Sequence, residues 1–134
     1  MKILLDTHCW LWWITTPERL ATEAQQFIAD GRNEIFLSAA SSWEIAIKYA
    51  LGKLPLPENP ETFVPPRLIR DAIEPFPVSH VHALHVSSLP LHHRDPFDRL
   101  LISQAQVDHL TIMTVDRQFK AYEVDLIWGR EGHP

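Results

Sequence analysis

Short apolar runs that stop abruptly at a polar residue constrain this chain more than any other feature. Lys2-Ile3-Leu4-Leu5 stops at Asp6, Ile35-Phe36-Leu37 leads into Ser38, and Leu110 to Val115 stops at Asp116. Runs of this length without clean alternation suit strands of a parallel sheet covered on both faces. Helical segments separate them. Thr7 to Ile14 is too rich in tryptophan for a solvent loop. Leu20 to Gly31 repeats apolar residues at Leu20, Ala24, Phe27 and Ile28, and Gly31 is a good stop. Ser38 or Ser41 can cap the helix that contains Trp43, Ile45, Ala46, Ile47 and Tyr49 and ends at Gly52. His80 to Leu89 reads as a small helix, and Asp95-Pro96 opens another, with Asp95 as N-cap and Pro96 in the first helical position. The stretch Leu54 to Pro66 holds five prolines and reads as a loop or broken turns. Leu68 to Ile73 then reads as helical, and Phe76-Pro77-Val78 as a brief edge strand. Leu126-Ile127-Trp128 supplies a last strand. The expected fold is α/β, with a mainly parallel sheet of four to five strands and right-handed crossovers. No repeat or boundary divides residues 1–134, so one domain is expected.

Composition narrows the function classes. At 134 residues and 46% hydrophobic, the chain can bury a real core. Cys9 is the only cysteine, which excludes a disulfide scaffold and suits a reducing compartment. No apolar stretch approaches the roughly 20 residues that a membrane span needs. Asp6 interrupts the N-terminal apolar run where a signal peptide would continue, so a cytoplasmic location is expected. The glycines do not cluster, which excludes phosphate-cradling glycine loops. A net charge of −5 argues against coating nucleic acid by bulk charge.

Where the acids sit matters more than how many there are. In a parallel sheet, ligands bind beyond the carboxyl ends of the strands, the edge that helix starts also face. Asp6 and Asp116 follow strands, and Glu44 and Asp98 lie near helix starts. All four can meet at that edge. Clustered carboxylates repel unless protons or a metal neutralise them. Oxygen ligands without cysteine favour a hard cation, Mg²⁺ or Mn²⁺, which can activate water for phosphodiester cleavage. Each acid also has an ordinary alternative. Asp6 can cap a helix, Asp98 can serve a helix dipole, Glu44 can be a solvated residue, and Asp116 can be a turn residue paired with Arg117. No single acid points to a site, but their joint placement does.

At this point the residues match a family. LLDTHCWLWW, SAASSWEIAIKYALGKL, HHRDPFDRLLISQAQ and TVDRQFKAY, in that order between Leu4 and Tyr122, resemble PIN-domain proteins. More narrowly, they resemble the VapC-like toxins of type II toxin–antitoxin modules. The resemblance implies a three-layer α/β/α sandwich and a Mg²⁺-dependent endoribonuclease. Its four acids fall on Asp6, Glu44, Asp98 and Asp116, with Thr114 at the family's hydroxyl position. Beside that, Thr7 and the N-cap Asp95 are expected to support the acids from behind. It also implies a homodimer and a cognate antitoxin that obstructs the acidic pocket.

RNA binding needs cations and stacking surfaces. Lys48, Arg94, Arg99 and Arg117 flank the acids in sequence and are candidates to hold phosphates. Alternatively, Lys48 and Arg99 pair with the carboxylates. Trp10, Trp12 and Trp13 can stack bases, although packing in the core or a dimer interface is the simpler role. His82, His85, His92 and His93 show no zinc-ligand pattern, and the last two are expected to shape the loop into Asp95. Two alternatives stand beside the toxin reading. One is an RNA-processing nuclease of the same fold. The other is a Mg²⁺-binding receiver domain, which would need a paired acid at the first strand and an acceptor aspartate after the middle one. The chain has neither.

Overall fold

The computed structural model describes residues 1–131. Among them, five strands form one sheet: β1 (Lys2–Leu5), β2 (Glu34–Ser38), β3 (Ile73–Phe76), β4 (Thr111–Thr114) and β5 (Leu126–Trp128). Their spatial order is β3-β2-β1-β4-β5, and every neighbouring pair is parallel. The chain steps outward from β1 through β2 to β3, then crosses back to place β4 on the other side of β1. A sheet of this kind opens a crevice where the order reverses, between β1 and β4.

Side chains alternate across the sheet and so define two cores. Ile3, Leu5, Leu37 and Met113 face one layer, built from α1 (Thr7–Thr15), α2 (Thr22–Ala29), α3 (Ala39–Ala50) and α4 (Pro60–Arg70). Leu4 and Ile112 face the other, with Leu101, Ile102 and Ala105 of α6 (Pro96–Asp108) and Phe119. The small helix α5 (His80–His85) packs against α6. This is the expected α/β/α sandwich. Trp10 is wholly buried, and its ring meets Phe63 of α4 edge-on. Trp13 donates its Nε1–H to Asp71 beyond α4. Both therefore pack rather than present a stacking face. Cys9 is buried, and burial pushes its thiol far above the usual range. Gly129 passes so close that an added Cβ would lie 2.7 Å from the Cys9 sulfur, which leaves room only for glycine.

Two expectations are corrected. The proline-rich stretch is not irregular throughout. Helix α4 starts at Pro60 behind the Asn59 cap and runs through Pro65 and Pro66. Both prolines are exposed, as are Glu61 and Thr62, whose carbonyls they cannot reach, so water can serve those carbonyls. The strand after α4 covers Ile73–Phe76 rather than Phe76-Pro77-Val78. Ala72 adopts a left-handed φ of 53° and turns the chain out of the helix early, which lets Ile73 bury in the core. Pro75 is tolerated because β3 is an edge strand.

Candidate active site

Four elements deliver one acid each to the sheet edge. Asp6 leaves β1 and caps α1, with one carboxylate oxygen accepting from the Cys9 backbone N–H at 2.7 Å. The other accepts from the Thr114 hydroxyl at 2.5 Å. That hydroxyl also accepts from the Asp116 backbone N–H at 3.0 Å, so Thr114 ties the ends of β1 and β4 together. Asp116 caps the short 3₁₀ turn Arg117–Ala121. Glu44 projects from α3, whose start is fixed by Ser38, which accepts from Ala40 N–H and donates to Gln104 of α6. Ser41 instead accepts from Thr7, joining α1 to α3. Asp98 lies in the first turn of α6, whose cap, Asp95, accepts from the N–H groups of Phe97 and Asp98.

These acids line a single cavity of about 180 Å³, together with Thr7, His8, Lys48 and Asp95. Burial raises the Asp6 carboxyl above its usual range, although the donors Thr114 and Cys9 oppose this. Asp98 is pushed up to about 8, first by burial and then by Asp95, Asp6, Glu44 and Asp116. At neutral pH without a counter-cation, Asp98 therefore holds a proton. Glu44 uses one oxygen to pair with Lys48 at 2.5 Å. Its other oxygen, Oε1, is buried without a hydrogen-bond partner among the described residues. An orphaned carboxyl oxygen in a cavity rich in acids is a donor set suited to a hard divalent cation.

The structure adds two residues that the sequence did not assign to the site, His8 in the cavity lining and His93. His93 is buried, and its Nε2 lies 2.9 Å from Asp98 and 3.1 Å from Asp116. Its Nδ1 accepts from the Asp95 backbone N–H at 3.3 Å, which places the ring proton on Nε2, between the two acids. The backbone N–H groups of His92 and His93 both donate to the Tyr122 hydroxyl, so the pair does shape the loop into Asp95. The three side chains of His93, Asp98 and Asp116 bring ligand atoms within 4.8 Å of one another.

The PIN-domain family model matches residues 3–125. The chain belongs to the PIN-domain family. Over 63 residues it is 51% identical to Ribonuclease VapC16 of Mycobacterium tuberculosis. That match spans 47% of this chain and 45% of the relative, less than half of either. Its fold is similar to that of VapBC2 from Rickettsia felis, solved bound to a promoter DNA fragment, with TM-score 0.73 and 19% identity over 96% of this chain and 99% of that one. DNA-bound VapBC from Salmonella typhimurium gives TM-score 0.69 at 19% identity, over 96% and 98%. No helix among the described residues is long and apolar enough to cross a membrane.

Within this PIN fold the four candidate cations separate. Lys48 pairs with Glu44 and leaves about half of its side chain exposed. Arg94 and Arg117 are exposed and form no ion pair among the described residues. Arg99 turns away from the acids. Its guanidinium donates to the carbonyls of Pro90, Leu89 and Val86 and to the Tyr122 hydroxyl. Neither the phosphate-binding role nor carboxylate pairing suits it, because its donors hold the segment that leads to His93. The other two histidines weighed as ligands have structural partners: His82 bonds Asp108, and His85 bonds Gln106 at 2.8 Å.

Proposed function

We propose that this PIN-domain chain is a metal-dependent endoribonuclease and the toxin of a type II toxin–antitoxin module. The observation that carries the nuclease reading is the meeting of Asp6, Glu44, Asp98 and Asp116, from four separate elements, in one cavity. The partial match to a ribonuclease and the likeness to VapBC complexes support the toxin reading. A homodimer and an antitoxin that covers the acidic cavity belong to the same proposal.

Asp6, Glu44, Asp98 and Asp116 would hold the cation, Mg²⁺ with Mn²⁺ as the alternative. When bound, it supplies positive charge to the phosphoryl oxygens and makes a bound water more acidic. The chain's own residues do the rest. Thr114 fixes Asp6 and Asp116 relative to each other. Asp95 holds the first turn of α6, so that Asp98 projects into the cavity. Lys48 neutralises one oxygen of Glu44 and leaves the other free. His93 donates between Asp98 and Asp116 and keeps them from separating. Arg94 and Arg117 remain accessible for phosphates on either side of the cut.

The test is cleavage of labelled RNA by the purified chain. Internal cuts should appear with Mg²⁺ or Mn²⁺ and fall to background with excess chelator, in Asp6→Asn and in Asp98→Asn. Both substitutions keep side-chain shape and remove a charged ligand. Undiminished cleavage in either variant would refute the four-acid mechanism. Cleavage without growth arrest on induction would move the reading to an RNA-processing nuclease outside a toxin–antitoxin module.

A further inference from the structure

Beside the acidic cavity, the fold gathers two positive charges on one aromatic ring. The Arg19 guanidinium lies 5.6 Å from the centre of the Trp12 ring, and that of Arg130 lies 5.4 Å from it. Arg19 follows α1 and Arg130 follows β5, so they come from opposite ends of the chain. Both are exposed, and neither forms an ion pair among the described residues. Arg32, Lys48, Arg67 and Arg70, by contrast, each have a carboxylate partner. Both guanidinium groups sit over the same indole, whose negative faces attract cations. The pair is also joined to the cavity. The His8 ring packs edge-on against Trp12 at 4.9 Å between centres, and His8 lines the cavity beside Asp6.

We propose that Arg19 and Arg130, carried on Trp12, bind the phosphodiester backbone of single-stranded RNA next to the bond cut at the acidic cavity. This rests on the nuclease reading above. A guanidinium presents a planar fork of donors that suits phosphate oxygens, and the aromatic face beneath leaves those donor edges free. A chain of net charge −5 needs a local positive site to hold a polyanion. Placing that site beside the acids, rather than among them, avoids neutralising the cation ligands. His8 then spans the step from the guanidinium pair to the cavity.

The test measures binding of a short, labelled, mixed-sequence oligoribonucleotide across a salt series. Asp98→Asn serves as the parent, so that the RNA stays intact. Adding Arg19→Gln and Arg130→Gln together should weaken binding about tenfold and reduce the log affinity against log salt slope by about 1.4, at about 0.7 per single-strand phosphate. The Arg19→Lys, Arg130→Lys pair should keep most of the slope. If the wild-type chain cuts RNA and the double glutamine variant shows the parent's slope, this site is refuted while the nuclease reading stands. It is refuted equally if the variant keeps its RNA affinity and loses only a protein partner. If the parent binds no RNA and the wild type cuts none, both readings fail together.

Discussion

A buried acid can be held by donors, by a counter-charge or by a proton, and the acids of this cavity use all three. Asp6 and Asp116 rest on backbone and side-chain donors, Glu44 on Lys48, and Asp98 on its raised pKa. The unfolded value for Asp98 is 3.8 and the folded one about 8. Between them the folded chain keeps a proton that the unfolded chain has released. Stability is therefore greatest at the acid end of that window and falls as pH rises through it. Asp6 is raised as well and adds to the same slope. In excess chelator, Tm should drop between about pH 5 and about pH 8, and Asp98→Asn should flatten much of that drop. A flat wild-type profile would contradict the assignment. His93 is tested separately. His93→Ala removes the donor shared by Asp98 and Asp116 and should slow RNA cleavage by about 10–100-fold. His93→Gln retains a donor and should recover part of the rate, and equal rates in all three proteins would remove His93 from the site. Asp6, Asp98 and Asp116 were legible because each ends a strand or starts a helix, so topology aims them at one edge, whereas Glu44 reaches it from the second turn of α3. His93 was not legible. It lies in an irregular segment, where nothing in the periodicity distinguishes the ring that turns in from its neighbour His92, which packs on Tyr122.

Elements were legible where pattern and capping agreed, and misread where a local rule met tertiary packing. Asp95-Pro96 marks the start of α6, and the structure begins the helix there. For the α3 cap the sequence left Ser38 and Ser41 open, and the structure gives them different tasks. Helix α4 is the instructive failure. Five prolines in thirteen residues argue for irregular chain, yet Phe63, Val64 and Leu68 bury one face of a helix against the core. Arg67 covers Phe63 at 3.8 Å from its ring centre. Packing on that face outweighs missing hydrogen bonds on the exposed one. Pro66→Ala should restore a donor toward the Thr62 carbonyl. An interior proline costs about 3 kcal/mol, and losing its restriction of the unfolded chain gives back about 1 kcal/mol. The net gain should be about 2 kcal/mol in a denaturant melt. RNA cleavage should not change, since α4 contributes nothing to the cavity. A destabilised variant would mean that α4 depends on the prolines rather than tolerating them.

At the scale of the molecule, the acid surplus changes meaning once it is distributed. A net charge of −5 opposes a nucleic-acid partner only if the charge is spread evenly. On the proposed reading, four acids concentrated at one strand edge would instead make a cation site, with unpaired arginines at its side. Sequence proximity could not sort those cations. Lys48 faces its acid, Arg99 next to Asp98 turns away, and Arg19 and Arg130 become neighbours only through the fold. The concentration also has a thermodynamic consequence. A ligand that binds only the folded state stabilises it, by about 2.7 kcal/mol at a hundred times its dissociation constant. A cation held by these acids would replace the proton on Asp98 and relieve the repulsion among them, so its effect should grow as pH rises. Adding Mg²⁺ or Mn²⁺ to chelator-stripped protein should raise Tm, more at about pH 8 than at about pH 6, while Na⁺ at matched ionic strength should not. Asp98→Asn removes one ligand and should shrink the shift at both values. A shift of the same size in that variant would place the cation away from these four acids, even if RNA cleavage still required it.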